Sequence, residues 1–223
     1  MVDWEVTEEE FSEEDFKLPQ TKSTIFLKRI FDITLALVAL IFFLPIGSLL
    51  ALSIVLEDRG PILYAQKRVG KGGRFFYIFK FRSMICKADK HGDLGGMRGM
   101  DWRITKVGAL MRNTALDELP NLLNILIGDM SFVGPRPERP GAHRKLSQAI
   151  PGFENRVQIT PGLICVGALC NVDTETWIQE MKREIHYDMF YVHKYSLLFD
   201  IILITAGLRT TLFLKWGTQE RKL

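Results

Sequence analysis

The longest apolar run of the chain predicts a membrane element. Ile33–Leu56 holds 24 residues without a charge. A straight helix of that length would reach ~36 Å, more than the ~30 Å hydrocarbon core of a bilayer. Pro45 lies near its middle, where a proline removes a backbone donor and disturbs the preceding turn. Length therefore predicts a single span, whereas the proline favours two shorter helical legs, Ile33–Leu44 and Ile46–Leu56.

Lysines and arginines flank both ends of this run, and that distribution conflicts with a single span. The basic residues before it are Lys22, Lys28 and Arg29, and those after it are Arg59, Lys67, Arg68, Lys71 and Arg74. Because basic residues favour the cytoplasmic side, a single span would place one set outside. A re-entrant helix with its break at Leu44 and Pro45 would keep both sets on one side, and Ser48 could donate a hydrogen bond to the Leu44 carbonyl. A kinked single span and a re-entrant helix both remain open.

Beyond the apolar run, the pattern predicts a mixed α+β domain. Ile62–Val69 and Arg74–Met84 alternate as two strands around a glycine-rich turn, which is typical of a β-hairpin. In the second strand one face holds Phe75, Tyr77, Phe79 and Phe81, and the other holds Phe76, Ile78, Lys80 and Arg82. Helical periodicity follows over 107–113, 119–127 and 177–195, with an interfacial or core helix over 196–216. We therefore expect a small membrane-associated α+β domain with a re-entrant anchor, a β-hairpin and several amphipathic interfacial helices.

The chain divides by composition into four parts. Its first 20 residues carry eight acidic residues and one basic residue, so that we expect 1–22 to be an acidic, disordered tail. The re-entrant helix would occupy 23–58, the main domain 59–216, and a second tail 217–223. The glycine-rich stretch 87–103 is expected to be a loop.

The net charge of +3 conceals a strongly basic body. Without the first 20 residues the chain has 28 basic and 18 acidic residues. Such a body suits anionic lipid or a phosphorylated substrate, and no recognition motif for nucleic acid is present. The three cysteines lack C-x-x-C spacing, which favours reduced thiols facing the cytoplasm over a zinc site or disulfide bonds.

An adjacent acid pair, Asp117-Glu118, is the strongest candidate for chemistry. The pair alone is weak evidence, since Glu14-Asp15 and Glu57-Asp58 also occur. Its context is stronger, because Pro120 is tolerated only in a first helical turn, where backbone N–H groups and the helix dipole favour a bound phosphate. Successive helical residues point ~100° apart, so that the two acids are expected to do different jobs.

Arginines near the acid pair suit a phosphate ester. Arg112 precedes the pair by five residues, and Arg136 follows it between Pro135 and Pro137. The proline rings restrict the backbone and fix where the Arg136 guanidinium points. A guanidinium matches phosphate oxygens in a bidentate way. A structural role for Arg136, as a cap on a loop carbonyl, is an equal alternative.

Four segments resemble the bacterial sugar transferase family, the monotopic polyprenyl-phosphate phosphoglycosyl transferases. They are Lys28–Asp32 (KRIFD) with the proline-broken run after it, Lys80–Met84 (KFRSM), Asp101–Thr114 (DWRITKVGALMRNT) and the specific block LDELPNLLNILIGDMSFVGPRPE at 116–138. The resemblance covers about residues 24–216.

The resemblance implies an enzyme that moves sugar-1-phosphate from a UDP-sugar to polyprenyl (undecaprenyl) phosphate, releasing UMP and initiating glycan or exopolysaccharide assembly. It implies that Asp117 is the nucleophile of a covalent phosphosugar intermediate, that Glu118 supports it, and that both acids hold Mg²⁺. The residues that match phosphate-binding positions are Lys80, Arg82, Arg112 and Arg136. The implied place is the cytoplasmic face of the bacterial inner membrane, beside anionic lipid, with homo-oligomer formation left open.

Two features depart from the family pattern. Leu44 stands where the family usually has serine before the break proline, and Thr160–Ala168 lacks the Arg, Trp and Gln of the usual R-P-G-[IL]-T-G-W-A-Q. The second departure leaves an alternative open, namely a non-catalytic membrane-anchored scaffold or regulator that retains the fold. A bitopic protein whose basic domain binds anionic lipid is the third interpretation.

Overall fold

An α+β domain joined to one long helix makes up the structure, a computed structural model that describes residues 21–86, 88, 101–169 and 177–212. The helices are α1 (Lys22–Glu57), α2 (Lys106–Asn113), α3 (Asn121–Ile127), α4 (Pro140–Ala149), α5 (Val166–Leu169), α6 (Trp177–Lys194) and α7 (Leu197–Leu212). The strands are β1 (Leu63–Val69), β2 (Phe75–Phe81), β3 (Ser131–Val133) and β4 (Gly162–Ile164). Short 3₁₀ turns lie at Lys71–Gly73, Leu116–Glu118 and Phe153–Gln158. The predicted α+β class is confirmed.

The predicted β-hairpin is present, and its two faces differ in burial. β1 and β2 pair antiparallel, with Leu63 opposite Phe81 and Val69 opposite Phe75. Phe76 and Ile78 are buried in the main core, whereas Phe75 is more than half exposed. The buried face therefore belongs to the side of β2 that also carries Lys80, which directs this lysine into the domain.

A second, small sheet forms from β3 and β4, which pair in parallel. Gly162 is required here, because a Cβ at this position would lie 2.0 Å from the backbone nitrogen of Gly134. The close backbone contact brings two segments that are distant in sequence, the end of β3 and the start of β4, side by side.

The first helix corrects the prediction of two helical legs, because α1 runs without interruption through Pro45. A proline removes one N–H group and strains the preceding turn, but it does not have to end a helix whose other hydrogen bonds survive. The hydrogen bond expected from Ser48 is present, with its Oγ donating to the Leu44 carbonyl at 2.9 Å. By length and composition α1 could cross a membrane, although no membrane is part of the structure.

The N-terminal part of α1 is fixed to the domain through buried polar groups. Lys28 Nζ lies 2.6 Å from Asp200 Oδ2 on α7, and the Tyr191 hydroxyl of α6 donates to the other Asp200 oxygen at 2.6 Å. Asp32 accepts from Ser131 Oγ of β3 at 3.1 Å. These contacts tie α1 to the core that α6, α7 and β3 share.

The C-terminal end of α1 is fixed to the same domain. The Glu57 carboxylate accepts hydrogen bonds from the first two N–H groups of α2, at 2.6 and 2.9 Å, and so caps that helix. Leu50 and Ile54 pack against Met111 of α2. Ala36 is still buried in the core, but most side chains over 41–49 are exposed, with Ile41 at 77%. An apolar middle therefore projects between two attachments to one domain.

Several predictions fall at or beyond the edges of the described residues. Most of the expected acidic tail, residues 1–20, most of the expected loop 87–103 and the expected tail 217–223 lie outside them. The helix begins at Lys22, one residue earlier than the predicted boundary of the membrane element. The helical predictions after the hairpin are confirmed as α2, α3, α6 and α7, while α4 and α5 were not predicted.

Candidate active site

The acid pair lies in the connection between α2 and α3. Asp117 and Glu118 belong to the 3₁₀ turn, and α3 follows from Asn121 with Pro120 in its capping position. Ala115, two residues before Asp117, has a left-handed backbone with φ +54°. That conformation costs a non-glycine residue about 1–2 kcal/mol and persists where the surroundings impose it, often at functional sites. The predicted position just before a helix N-terminus is confirmed.

Glu118 is held by two cations. Lys80 Nζ lies 2.5 Å from Glu118 Oε1, and Arg136 Nη2 lies 3.9 Å from the same oxygen. Burial alone would raise the pKa of Glu118, but Lys80 and Arg136 hold it below its ordinary value. Glu118 is therefore a fixed carboxylate at neutral pH.

Asp117 has a different environment from its neighbour. Burial raises the pKa of Asp117 above its ordinary value, although Lys80 and Arg112 act in the opposite direction. None of the ion pairs formed between described residues uses the Asp117 carboxylate. Glu118 is thus paired with cations, whereas Asp117 is partly desolvated and uses its carboxylate in none of these ion pairs. This difference fits separate chemical roles for the two acids.

The structure separates two of the predicted phosphate-binding residues. Arg112, in the last turn of α2, is exposed, and its Nε donates to Ser83 Oγ at 2.9 Å. Arg82 is buried, and its guanidinium donates to the Asp58 carbonyl just after α1. Arg112 therefore stays near the acid pair, whereas Arg82 ties β2 to α1, and a phosphate-binding role for Arg82 remains a prediction.

The loop that carries Arg136 is held by four successive carbonyl groups. Pro135 accepts from Gly162 N, Arg136 from Arg156 Nη2, Pro137 from Arg68 Nη1 and Glu138 from Val69 N, each at 2.9 Å. The Arg136 side chain itself is 40% exposed. Its backbone is therefore fixed while its guanidinium remains accessible beside Glu118.

Sequence reasoning missed the residues that stand behind this loop. Arg156 is buried, and its Nη2 lies 2.6 Å from Asp188 Oδ2 on α6. Burial raises the pKa of Asp188 to about 6 in spite of Arg156. Burial and the charge of Arg136 lower the pKa of Arg68 to about 10. The available signal was an acid in register with the apolar stripe of α6, since Asp188 follows Met181 and Ile185 at helical spacing.

The stretch that departs from the family pattern, Thr160–Ala168, lies beside the same loop. Besides the bond from Gly162 to Pro135, Gly134 N donates to the Ile164 carbonyl at 3.1 Å. Both contacts are made by backbone groups. The stretch therefore supports the loop even though the usual Arg, Trp and Gln side chains are missing.

The carboxylates present fit one common mode of magnesium binding. Within the described ranges, no three or more His, Cys, Asp or Glu side chains group as a metal site. The acid pair offers two carboxylates, and magnesium in phosphate chemistry usually takes one or two protein carboxylates together with substrate phosphates and water. The assignment of Asp117 and Glu118 as magnesium ligands remains a prediction.

The chain is similar to known proteins over most of its length. The family model described as bacterial sugar transferase matches residues 23–213. A protein of Bacillus subtilis (strain 168), named as a candidate undecaprenyl-phosphate N-acetylgalactosaminyl 1-phosphate transferase, is 45% identical over 138 residues, which are 62% of this chain and 76% of the relative.

Two further relatives are named for similar transfers. The UDP-N-acetylgalactosamine-undecaprenyl-phosphate N-acetylgalactosaminephosphotransferase of Aeromonas hydrophila is 36% identical over 84% of this chain and 44% of its own length. The UDP-glucose:undecaprenyl-phosphate glucose-1-phosphate transferase of Caulobacter vibrioides is 39% identical over 79% of this chain and 66% of its own length. The chain thus spans less than half to about three quarters of these relatives.

Proposed function

The chain belongs to the bacterial sugar transferase family, and we propose that it transfers a sugar 1-phosphate from a UDP-sugar to undecaprenyl phosphate, the first step of a polysaccharide assembly. The names of the relatives support this reaction class, although they differ in the sugar, N-acetylgalactosamine or glucose. The observation that carries the proposal for this chain is the acid pair, in which Glu118 is bound by Lys80 and Asp117 is left available.

Asp117 acts as the nucleophile in this proposal. A carboxylate oxygen of Asp117 forms a bond to the β-phosphorus of the UDP-sugar, and the bond from that phosphorus to the bridging oxygen breaks, releasing UMP. An oxygen of undecaprenyl phosphate then attacks the same phosphorus and releases the Asp117 carboxylate, giving an undecaprenyl diphosphate sugar. Covalent catalysis of this kind divides one transfer into two displacements and predicts ping-pong kinetics.

Basic side chains around Asp117 would stabilise the diphosphate. Arg136 lies next to Glu118, Arg112 acts on the charge of Asp117, and Lys80 keeps Glu118 ionised and in place. Such preorganised cations stabilise the charge that develops as the phosphoryl group transfers. Mg²⁺ held by Asp117, Glu118 and the substrate would neutralise the diphosphate and stabilise the leaving UMP.

The membrane placement that fits this reaction is a re-entrant one at the cytoplasmic face of the inner membrane. Both ends of α1 are attached to one domain, through Lys28 and Glu57, so that the two ends belong on the same side. The exposed apolar middle of α1 would enter the lipid, and the basic body would lie on anionic headgroups. The acid pair would then meet a lipid phosphate and a cytosolic UDP-sugar from one side.

The test is a direct assay of both displacements. Membrane-embedded protein is incubated with a panel of UDP-sugars and magnesium, and UMP release and a phosphosugar adduct on Asp117 are measured. We expect Asp117→Asn to abolish both, because an amide does not form the acyl phosphate. Asp15→Asn is the matched control, since Glu14-Asp15 is another acid pair and lies outside the residues that the family model matches.

The same assay decides between enzyme and scaffold. UMP release by the wild type, lost in Asp117→Asn and kept in Asp15→Asn, supports the enzyme. Absence of UMP and of adduct with every sugar would favour a non-catalytic, membrane-anchored member of the family. The altered Thr160–Ala168 stretch is the sequence feature that supports this alternative. Full activity in Asp117→Asn would contradict the covalent mechanism.

A further inference from the structure

The loop Pro135–Glu138 has an unusual set of hydrogen bonds. All four of its carbonyl groups accept a hydrogen bond, while the prolines at 135 and 137 have no N–H group to donate. Two of the four donors are backbone groups and two are arginine side chains, Arg68 and Arg156. The position of Arg136 therefore depends on side chains that are remote from the acid pair in sequence.

Of the four donors, Arg156 is the one that bonds to the backbone of Arg136 itself. Its single nitrogen Nη2 lies 2.9 Å from the Arg136 carbonyl and 2.6 Å from Asp188 Oδ2. Nη2 therefore donates a hydrogen bond to the Arg136 carbonyl while it forms an ion pair with the Asp188 carboxylate. Its guanidinium carbon also lies 5.0 Å from the centre of the Phe153 ring, which restricts the plane of the group.

Burial makes this arrangement rigid. Arg156 and Asp188 are each 3% exposed. A buried charge that loses its partner is strongly unfavourable, so that neither member can turn toward water instead. The pair spans from the 3₁₀ turn at Phe153–Gln158 to α6 and presents one N–H group to the loop.

We propose that Asp188 and Arg156 are positioning residues for the transfer: Asp188 orients Arg156, and Arg156 fixes the backbone of Arg136. The Arg136 guanidinium thereby keeps its place next to Glu118 and the diphosphate of the substrate. The kinetic part of this inference rests on the proposed function, whereas its structural part concerns the loop alone.

A second buried ion pair provides the matched control. Lys28 and Asp200 approach to 2.6 Å, and their side chains are 9% and 0% exposed. This pair joins α1 to α7. Its neighbours Asp32 and Tyr191 contact β3 at Ser131 and Val133, whereas no hydrogen bond or ion pair that Lys28 or Asp200 makes with the described residues reaches the loop 135–138. Asp200→Asn therefore damages a buried pair of similar kind without acting on Arg136.

The kinetic test is a double-mutant cycle on UMP release. We expect Asp188→Asn to lower kcat/KM about 10- to 100-fold, since misplacement of about 1 Å at a reacting group can cost that much. If Asp188 acts through Arg136, the double variant Asp188→Asn/Arg136→Ala should be no slower than Arg136→Ala alone. Asp200→Asn should instead add its own loss to that of Arg136→Ala.

The structural test is hydrogen exchange of residues 135–139, separated from β3 by overlapping peptides in mass spectrometry. We expect faster exchange of residues 135–139 in Asp188→Asn and an unchanged rate of the same residues in Asp200→Asn. If Asp188→Asn does not fold, Arg156→Lys replaces it, since lysine keeps the charge but lacks the planar fork. Unchanged exchange in the folded variant, or full additivity with Arg136→Ala, would overturn the proposal. A wild type that releases no UMP would defeat the proposed function, while the exchange rates would still decide the role of the pair.

Discussion

Among single residues, Glu184 shows how burial sets the charge behind the candidate site. It lies on α6 one turn before Asp188 and packs against Gly167. Burial and the charge of Asp188 raise the pKa of Glu184 to about 7, with Glu138 acting in the same direction and Arg136 and Arg156 opposing it. A carboxyl group with a raised pKa binds its proton more tightly in the folded protein than in the unfolded chain.

Because the protonation of Glu184 is linked to folding, the free energy of unfolding depends on pH. Between the ordinary pKa of a glutamate and about 7, the folded state binds more protons at Glu184 than the unfolded chain does, so that stability falls as pH rises through this window. Glu184→Gln removes the buried charge and should raise Tm at pH 8 by roughly 3 °C or more relative to its effect at pH 5. The measurement is thermal unfolding at both pH values.

The control for this prediction is Asp129→Asn, which removes a carboxylate from a partly exposed turn after α3. Its Tm, measured at the same two pH values, gives the change that follows from removing a carboxylate at a partly exposed position. A Glu184→Gln variant whose Tm change is the same at both pH values would show that the glutamate is ionised throughout.

Sequence reasoning found the residues whose signal is local and missed those whose partners are distant. A helix start and nearby prolines mark Asp117, Glu118 and Arg136 in the sequence as candidate site residues. The role of Arg156 and Asp188 depends on tertiary contacts, which cannot be deduced from spacing along the chain. Arg82 shares a strand face with Lys80, yet it binds the end of α1, since the side-chain period of a strand fixes the face but not the partner.

Among the elements, α1 shows why a proline does not fix a helix boundary. We expected two legs, whereas the helix is continuous, because only the hydrogen bond of the Pro45 nitrogen is lost and neighbouring bonds hold the turn. Ser48 donates to Leu44 in that turn, and such side-chain bonds to a carbonyl four residues earlier often bend helices. We therefore expect serine and proline together to bend this turn rather than to break the helix.

Loss of the Ser48 hydrogen bond should weaken membrane insertion of α1. Ser48→Ala removes the hydrogen bond to Leu44, and polar bonds of this kind in a membrane average about 0.6 kcal/mol, so that we expect the ratio of inserted to non-inserted protein to fall about threefold. Ser53→Ala is the matched control, because Ser53 Oγ donates to the Leu49 carbonyl at 2.8 Å but lies farther from the proline. The carbonate-resistant membrane fraction measures the effect. Equal insertion of Ser48→Ala and the wild type would exclude a contribution from this bond.

In the molecule as a whole, the attachment of α1 at both ends restricts how the protein can meet a bilayer. A spanning α1 would place Lys28 and Glu57 on opposite sides, so that at least one attachment would have to open. Opening the Lys28–Asp200 contact would leave a buried charge without its partner, at a cost of about 3–5 kcal/mol. The fold therefore favours both ends of α1 on one side of the membrane. Hydropathy alone does not predict this, because it contains no information about tertiary contacts.

Accessibility of single cysteines tests this topology. In a variant with the three native cysteines changed to serine, Thr21→Cys and Arg59→Cys place one thiol before α1 and one after it. We expect a membrane-impermeant maleimide to label both in inside-out vesicles and neither in spheroplasts. Phe42→Cys, at a position 71% exposed in the apolar middle, should resist the reagent from both sides because lipid covers it. Labelling of Thr21→Cys in spheroplasts would mean that α1 spans the membrane and that its N-terminal attachment to Asp200 is open there.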